Sequence, residues 1–136
     1  MNQHKKIGFT CGAFDLCHAG HVLMLKECSE NCDYLIVGLH TDPSYNDKKE
    51  SPTQSIYERM VQLQAIKYVD EIIVYDNEED LVNLLLTVSP DVRFLGSDYI
   101  GKKFTGEGIE EIEIFYNKRN HSYSSTELRN RIRNEK

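Results

Sequence analysis

Short apolar runs alternate along the chain with segments whose apolar residues recur at helical spacing. The apolar runs cover residues 6–10, 33–39, 69–75 and 92–96, and the helical segments cover residues 19–31, 55–68 and 78–88. Apolar runs of this length are typical of strands buried on both faces of a parallel sheet. The pattern therefore predicts repeated strand, helix and strand units.

The C-terminal part adds an edge strand and a final helix. Residues 109–116 alternate apolar and charged side chains, which indicates a more exposed strand. Ser124-Ser125-Thr126-Glu127 predicts a capping box that opens a terminal helix with Ile132 facing inward, and Ser55 with Glu58 predicts the same for the second helix. We expect an α/β fold: a single Rossmann-like doubly wound domain with a mainly parallel five-stranded sheet flanked by helices.

Composition favours one globular domain over residues 1–136, with 40% hydrophobic and 28% charged residues. Sixteen Lys and Arg against 22 Asp and Glu give a net charge of −6, which argues against binding to nucleic acid polymers or to an anionic membrane surface. No apolar run approaches the roughly 20 residues of a membrane span. We therefore expect a cytoplasmic protein with an anionic small ligand held in a local basic pocket.

All four cysteines lie in the first quarter of the chain, at Cys11, Cys17, Cys28 and Cys32, and none forms a C-x-x-C pair. A disulfide framework is therefore not expected. A zinc site built from three of these cysteines with two nearby histidines is the alternative, but structural zinc sites usually draw cysteine pairs from two separate segments. We expect small buried apolar roles for the thiols and no resident metal site.

The most informative stretch runs from Gly12 to His21, between the first strand and the first helix. Gly12 and Gly20 allow close backbone approach, and His18 and His21 lie on one face if the helix begins near Ala19. Amide groups at a helix start lack intrahelical partners, and the helix dipole makes the potential there positive. This stretch is therefore predicted to be a phosphate-binding turn.

Other polar residues also follow the carboxyl ends of predicted strands, where doubly wound sheets bind ligands. These segments are residues 42–51, 96–99 and 119–126. Lys48 and Lys49 form either a basic loop for substrate or a solvated pair, and Arg119 precedes a hydroxyl-rich helix start that suits phosphate or serves only as a cap. No Ser or Cys nucleophile is paired with a base, so catalysis by positioning and charge neutralisation fits best.

These residues resemble a known family. Residues 12–15 (Gly-Ala-Phe-Asp) with His18 and His21 resemble the G-T-F-D-x-x-H-x-G-H signature of the nucleotidyltransferase superfamily, and residues 123–126 (Tyr-Ser-Ser-Thr) resemble its I-S-T-T partner. The chain is similar to the glycerol-3-phosphate cytidylyltransferase group over nearly its whole length. That similarity also includes residues 33–37, 41–42, 57–59, 68–71 and 96–99.

The resemblance implies that CTP reacts with a phosphorylated small alcohol to give a CDP-linked product and pyrophosphate, with Mg²⁺ assisting, in a homodimer. His18 and His21 are implied to contact the nucleotide phosphates and to stabilise charge in the transition state. One of Lys48 and Lys49 is implied to reach the α-phosphate. Arg119 is implied to hold the β- and γ-phosphates together with the hydroxyls of Ser124, Ser125 and Thr126.

The remaining positions implied by the resemblance are contributed by several segments. Asp15 lies where the family has a carboxylate near the reacting phosphates and the substrate, Asp98 where it has one near the nucleoside, and Arg59 where an arginine is placed for substrate phosphate. The other nucleotide-binding positions are Gly12, Ala13, Phe14, Gly20 and Gly96.

The chain departs from the family pattern at three places. Ala13 replaces the signature Thr, Lys67 replaces an Arg, and residues 97–99 (Ser-Asp-Tyr) replace a D-D-W-like run. An adenylyltransferase that uses ATP on a sugar phosphate such as heptose phosphate therefore remains an alternative, as does a nucleotide-binding module without turnover. A dinucleotide-dependent oxidoreductase is disfavoured because no G-x-G-x-x-G follows the first strand.

Overall fold

A five-stranded parallel sheet forms the centre of the computed structural model, which describes residues 4–45 and 50–135. Its strands are β1 (Ile7–Gly12), β2 (Tyr34–His40), β3 (Glu71–Tyr75), β4 (Val92–Gly96) and β5 (Glu113–Asn117). The strand order is β3-β2-β1-β4-β5, and every neighbouring pair is parallel. The predicted α/β fold is confirmed. The chain changes direction across the sheet between β1 and β4, and doubly wound sheets bind ligands at this point.

The described residues form four α-helices, of which three lie between consecutive strands and the fourth follows β5. They are α1 (Ala19–Glu30), α2 (Ile56–Gln64), α3 (Glu78–Val88) and α4 (Ser125–Arg133). The helix predicted to reach residue 68 ends at Gln64, because tight turns join Ile66 to Leu63 and Val69 to Ile66. None of the described helices combines the length and apolarity that a membrane crossing needs.

Apolar side chains on the two faces of the sheet form two separate cores. On β2, Leu35, Val37 and Leu39 pack with Leu25 of α1 and Leu63 of α2. Side chains on the other face, including those of Phe9 and Ile36, pack with α3. Central strands covered on both faces need apolar residues at nearly every position, which is why their sequences show continuous apolar runs.

The terminal helix docks differently from its prediction. The Ser124 hydroxyl accepts a hydrogen bond from the Glu127 amide at 3.0 Å, but the reciprocal bond of a capping box is absent among the described contacts. Ile132, predicted to face inward, is 60% exposed. The helix is instead attached through Arg129, which forms an ion pair with Asp15 at 2.8 Å. A charged contact to the turn after β1 therefore replaces the expected apolar stripe.

Candidate active site

The turn after β1 holds two non-glycine residues in the left-handed backbone region. Phe14 has a φ of 52° and Leu16 a φ of 51°, a conformation that non-glycine residues adopt uncommonly. The Phe14 side chain is only 4% exposed, and the Leu16 amide donates to the Gln54 side chain at 2.8 Å. Such strain persists where packing enforces it, and it concentrates at ligand-binding sites.

His18 and His21 cap the N-terminus of α1 through the same ring atom. His18 Nδ1 accepts a hydrogen bond from the Gly20 amide at 3.0 Å, and His21 Nδ1 accepts one from the His18 amide at 3.2 Å. An Nδ1 that accepts carries no proton, so the proton of the neutral imidazole is on Nε2. Each ring therefore keeps an Nε2–H group as a hydrogen-bond donor for a ligand at the helix start.

Both imidazoles are poised to stay neutral. Burial, with a smaller contribution in the same direction from the neighbouring His18, lowers the pKa of His21 to about 4, and Asp15 opposes the shift. Burial also lowers the pKa of His18, with smaller contributions in the same direction from His121 and Arg119. At neutral pH the two rings are therefore uncharged donors.

The low pKa of His21 predicts a specific dependence of stability on pH. In the unfolded chain this residue has its ordinary value of 6.5, so between pH 6.5 and about 4 the unfolded state binds a proton that the folded state lacks. Lowering the pH through this window therefore reduces the free energy of unfolding. His21→Asn keeps an acceptor near Nδ1 but cannot titrate, so we expect a smaller loss between pH 7 and pH 5. Urea unfolding of both proteins checks this, and equal losses would contradict it.

The two sequence signatures meet in the structure. The Ser125 hydroxyl donates to the Asp15 carbonyl at 3.2 Å, which places the start of α4 against the turn after β1. A methyl group placed on Gly20 would lie 2.8 Å from the His18 ring and 3.0 Å from the ring of His121. Gly20 therefore permits the start of α1 and the segment before α4 to approach each other, and a larger residue there would displace the rings of His18 and His121.

His121 was not among the predicted site residues. Its Nδ1 accepts from the Tyr123 amide at 3.1 Å and its ring stacks on the Tyr123 ring, with centroids 5.1 Å apart. The proton of its neutral ring is therefore also on Nε2. Its position within the Arg119 to Thr126 segment was the available signal, but residue type alone could not show that its ring reaches α1.

Asp15 acts as an internal anchor. Its carboxylate accepts hydrogen bonds from the backbone amides of Thr53 and Gln54 at 2.8 and 2.9 Å, and it pairs with Arg129. These contacts join the start of α2 and the middle of α4 to the turn after β1. The predicted contact of this carboxylate with substrate stays a prediction.

Arg59 is placed differently from its predicted role in binding substrate phosphate. It is 2% exposed, and its guanidinium donates to the carbonyls of Gln54, Ala13, His40 and Thr41 at 3.1, 3.0, 2.6 and 2.6 Å. Burial lowers its pKa, and the carboxylates of Asp15 and Asp42 oppose this shift. Because the guanidinium is directed at main-chain carbonyls, we assign Arg59 the role of positioning the loops that follow β1 and β2.

Two cavities adjoin at the turn after β1. The first, of about 530 Å³, lies at the carboxyl ends of β1 and β4, and Gly12 and Gly96 are at its rim. The second, of about 480 Å³, is lined by residues that include His21, Ser125 and Thr126. Ala13 and Pro43 line both cavities. Volumes of this size suit small-molecule ligands. The turn after β1 therefore lies between two spaces, each large enough for a small molecule or part of one.

Two of the remaining predicted residues, Arg119 and Asp98, line neither cavity. Arg119 is exposed and donates to the Tyr123 carbonyl at 2.8 Å. Asp98 lies beside Gly96, where a methyl group would be 2.5 Å from its Oδ1. The predictions for Lys48 and Lys49 concern residues outside the described part of the chain.

The candidate zinc ligands are not assembled in one place. Within residues 4–45 and 50–135, no group of three or more His, Cys, Asp or Glu side chains is arranged to hold a metal ion. Burial raises the pKa of Cys28 to about 12, and the Cys32 thiol donates to the Cys28 carbonyl. Both thiols are therefore protonated at neutral pH, in keeping with packing roles.

The sequence of the chain matches a known protein family. Residues 9–131 match the family model described as cytidylyltransferase-like. The chain belongs to this family. This cytidylyltransferase-like domain is thereby a member of the nucleotidyltransferase superfamily, as its two signatures predicted.

Curated relatives of the cytidylyltransferase-like domain include larger bacterial proteins. The bifunctional protein HldE of Campylobacter fetus subsp. fetus is 35% identical over 113 residues, which cover 81% of this chain and 24% of that protein. That of Campylobacter concisus is 39% identical over 107 residues, covering 77% and 22%. The chain thus spans about a quarter of the length of these relatives.

Solved structures confirm the architecture. A lipopolysaccharide core biosynthesis protein from Thermoplasma volcanium superposes with a TM-score of 0.73 at 24% identity, covering 87% of this chain and all of that one. A pantothenate synthetase from Thermus thermophilus gives a TM-score of 0.56 at 14% identity, covering 82% of this chain and 55% of that one. At these identities the likeness shows the fold alone.

Proposed function

We propose that the domain transfers CMP from CTP to the phosphate of a small phosphorylated alcohol resembling glycerol 3-phosphate, giving a CDP-linked product and pyrophosphate. The observation that supports this most directly is the meeting of two helix N-termini, with the Nε2–H groups of His18 and His21 available beside hydroxyls of α4. Helix starts bind phosphate through free amides and the helix dipole.

In the proposed reaction an oxygen of the acceptor phosphate attacks the α-phosphorus of CTP. The bond from the α-phosphorus to the oxygen that bridges to the β-phosphorus breaks as the new bond forms, and the outer two phosphates leave as pyrophosphate. Negative charge grows on the bridging oxygen. His18 and His21 stabilise it as preorganised donors, while Arg119 and Ser124–Thr126 hold the leaving pyrophosphate. A lysine of the loop, Lys48 or Lys49, is proposed to neutralise the α-phosphate.

Magnesium enters this proposal with the nucleotide. The described residues assemble no set of three metal ligands, and the Asp15 carboxylate already accepts from two amides and pairs with Arg129. Mg²⁺ commonly keeps several waters and is held mainly by substrate phosphates. The Mg²⁺–CTP complex is therefore treated as the substrate, with the metal ion offsetting phosphate charge.

A second candidate uses ATP instead of CTP on a sugar phosphate such as heptose phosphate. The compared sequence relatives are described as bifunctional protein HldE, not as cytidylyltransferases, and this favours keeping the candidate. A nucleotide-binding module without turnover is the third. The site supports a catalytic role better, because it brings neutral imidazole donors and α4 hydroxyls to one turn.

A pyrophosphate-release assay separates the three candidates. CTP, ATP, GTP and UTP are each tested with Mg²⁺ and a panel of phosphorylated alcohols and sugars that includes glycerol 3-phosphate and heptose phosphate, and product mass is measured. We expect kcat/KM for CTP to exceed that for ATP by about tenfold or more. Higher activity with ATP would establish the second candidate. Nucleotide binding without pyrophosphate release across the panel would favour the module.

A further inference from the structure

The inner end of the first cavity contains a buried arginine that forms no ion pair with any of the described residues. Arg93, on β4, is 3% exposed and lines this cavity. Its Nη1 donates to the Thr105 carbonyl, and its guanidinium lies 5.3 Å from the centroid of the Phe104 ring. Its Nε is buried and has no hydrogen-bond partner among the described residues. Most buried polar atoms in proteins are hydrogen-bonded, so this one needs an explanation.

The described protein groups leave the charge of Arg93 unpaired. No carboxylate of the described residues lies within ion-pair distance of it. Glu78 lines the same cavity and accepts a hydrogen bond from the Thr105 hydroxyl at 2.8 Å, but it forms no ion pair with Arg93 among the described contacts. An unpaired buried guanidinium is costly because it loses hydration without gaining an opposite charge.

One other residue that lines the cavity, Lys103, adds positive charge. Burial raises the pKa of both the Cys11 thiol and the Tyr75 hydroxyl, so neither supplies an anion at neutral pH. The His40 ring stacks on Tyr75, with its Nε2 3.1 Å from a backbone carbonyl. Two cations against one carboxylate favour an anionic ligand.

The loop after β4 fits closely over the guanidinium. Gly106 has a φ of 87°, and a methyl group there would lie 3.0 Å from Arg93 Nη1 and 2.7 Å from the Leu85 side chain. Arg93 pairs in register with Phe9, three residues before Gly12. Three strand residues span about 10 Å, so a small molecule can reach from the turn after β1 to Arg93.

We propose that the acceptor carries a carboxylate at the end remote from its reacting phosphate, and that Arg93 binds this carboxylate at the inner end of the first cavity. This inference rests on the proposed function, because the inference takes the reacting phosphate of the acceptor to lie at Gly12 and Ala13, in the turn after β1. The planar guanidinium matches a carboxylate in shape and charge. Lys103 and the loop over Gly106 close the subsite around it.

A matched pair of probes tests the proposal. Glycerol 3-phosphate and 3-phosphoglycerate differ by a hydroxymethyl group in place of a carboxylate, and their affinities are measured by calorimetry with and without a non-hydrolysable CTP analogue. We expect the carboxylate probe to bind about tenfold more tightly or better. Arg93→Met should remove that advantage and change the affinity for glycerol 3-phosphate by less than about twofold. Arg93→Lys should bind the carboxylate probe with an affinity between those of the wild-type protein and Arg93→Met.

Arg131→Met is the matched control, because it removes one positive charge from an exposed position of α4 outside both cavities. Equal affinities of the two probes for the wild-type protein would overturn the proposal, as would an equal loss for both probes in Arg93→Met. If the Arg93 variants do not fold, the affinities of the two probes for the wild-type protein still decide whether the proposal holds. Pyrophosphate release with the hydroxymethyl probe alone would leave the proposed function standing while overturning this inference.

Failure of the proposed function gives a different result. A protein that binds no CTP or ATP in calorimetry lacks that function, yet its preference between the two probes without nucleotide still tests the Arg93 subsite. Preference for the carboxylate probe there would support the subsite independently of nucleotide transfer.

Discussion

Replacing His18 or His21 with asparagine is expected to lower kcat by about 10²-fold or more while the protein stays folded. The asparagine side chain offers an acceptor near the position of Nδ1, so it can preserve the hydrogen bonds that cap α1. It lacks a donor where the Nε2–H group lies. The variant therefore removes the group proposed to stabilise the transition state and retains the local structure.

Alanine variants and an exposed histidine complete this experiment. His18→Ala removes the cap as well as the donor, and loss of an N-cap typically costs about 1 kcal/mol of stability. His4→Asn changes an exposed histidine far from the site and should leave kcat unchanged. Steady-state pyrophosphate release and thermal unfolding are measured for each variant. Full kcat in His18→Asn or His21→Asn would remove that residue from the proposed mechanism.

The inner strands β2 and β4 were predictable because nearly all of their residues are buried. Val92 to Leu95 are all buried in β4, and the sequence there is almost continuously apolar. The edge strand β5 begins at Glu113 and not at residue 109, because Ile109 closes a turn with Gly106. Alternation of apolar and charged residues cannot distinguish an extended approach to a strand from the paired strand itself.

The turn between β1 and the start of α1 was predictable because its residue types and spacing are specific, and its binding of phosphate stays a prediction. The backbone contacts of Asp15 and Arg59 were not predictable, since a charged side chain beside a site can either enter it or bond the backbone around it. The sequence alone does not indicate which of these two arrangements a charged side chain adopts. Arg93 was missed for a related reason: within an apolar strand it has no local partner, and only the folded loop around Thr105 shows that it is enclosed.

Arg59→Met is expected to reduce the free energy of unfolding by about 3 kcal/mol or more. The substitution removes four hydrogen bonds to main-chain carbonyls, including those of Ala13, His40 and Thr41, and leaves those acceptors in a region from which water is largely excluded. Hydrogen bonds from a charged donor contribute more than neutral ones. Urea unfolding of the variant and the wild-type protein measures the difference.

The same variant separates a positioning role from a substrate-binding role. If Arg59 holds the loops after β1 and β2, Arg59→Lys should also lose stability, because one ammonium group cannot reach carbonyls that now bond three different guanidinium nitrogens. Kcat should then fall with stability, since Ala13 lies between the two cavities. Lys67→Met, an exposed charge loss just beyond α2, should change neither. Arg59→Lys with wild-type stability and a raised KM for the acceptor alone would instead assign the guanidinium to substrate binding, and the four carbonyl contacts would then contribute little to stability.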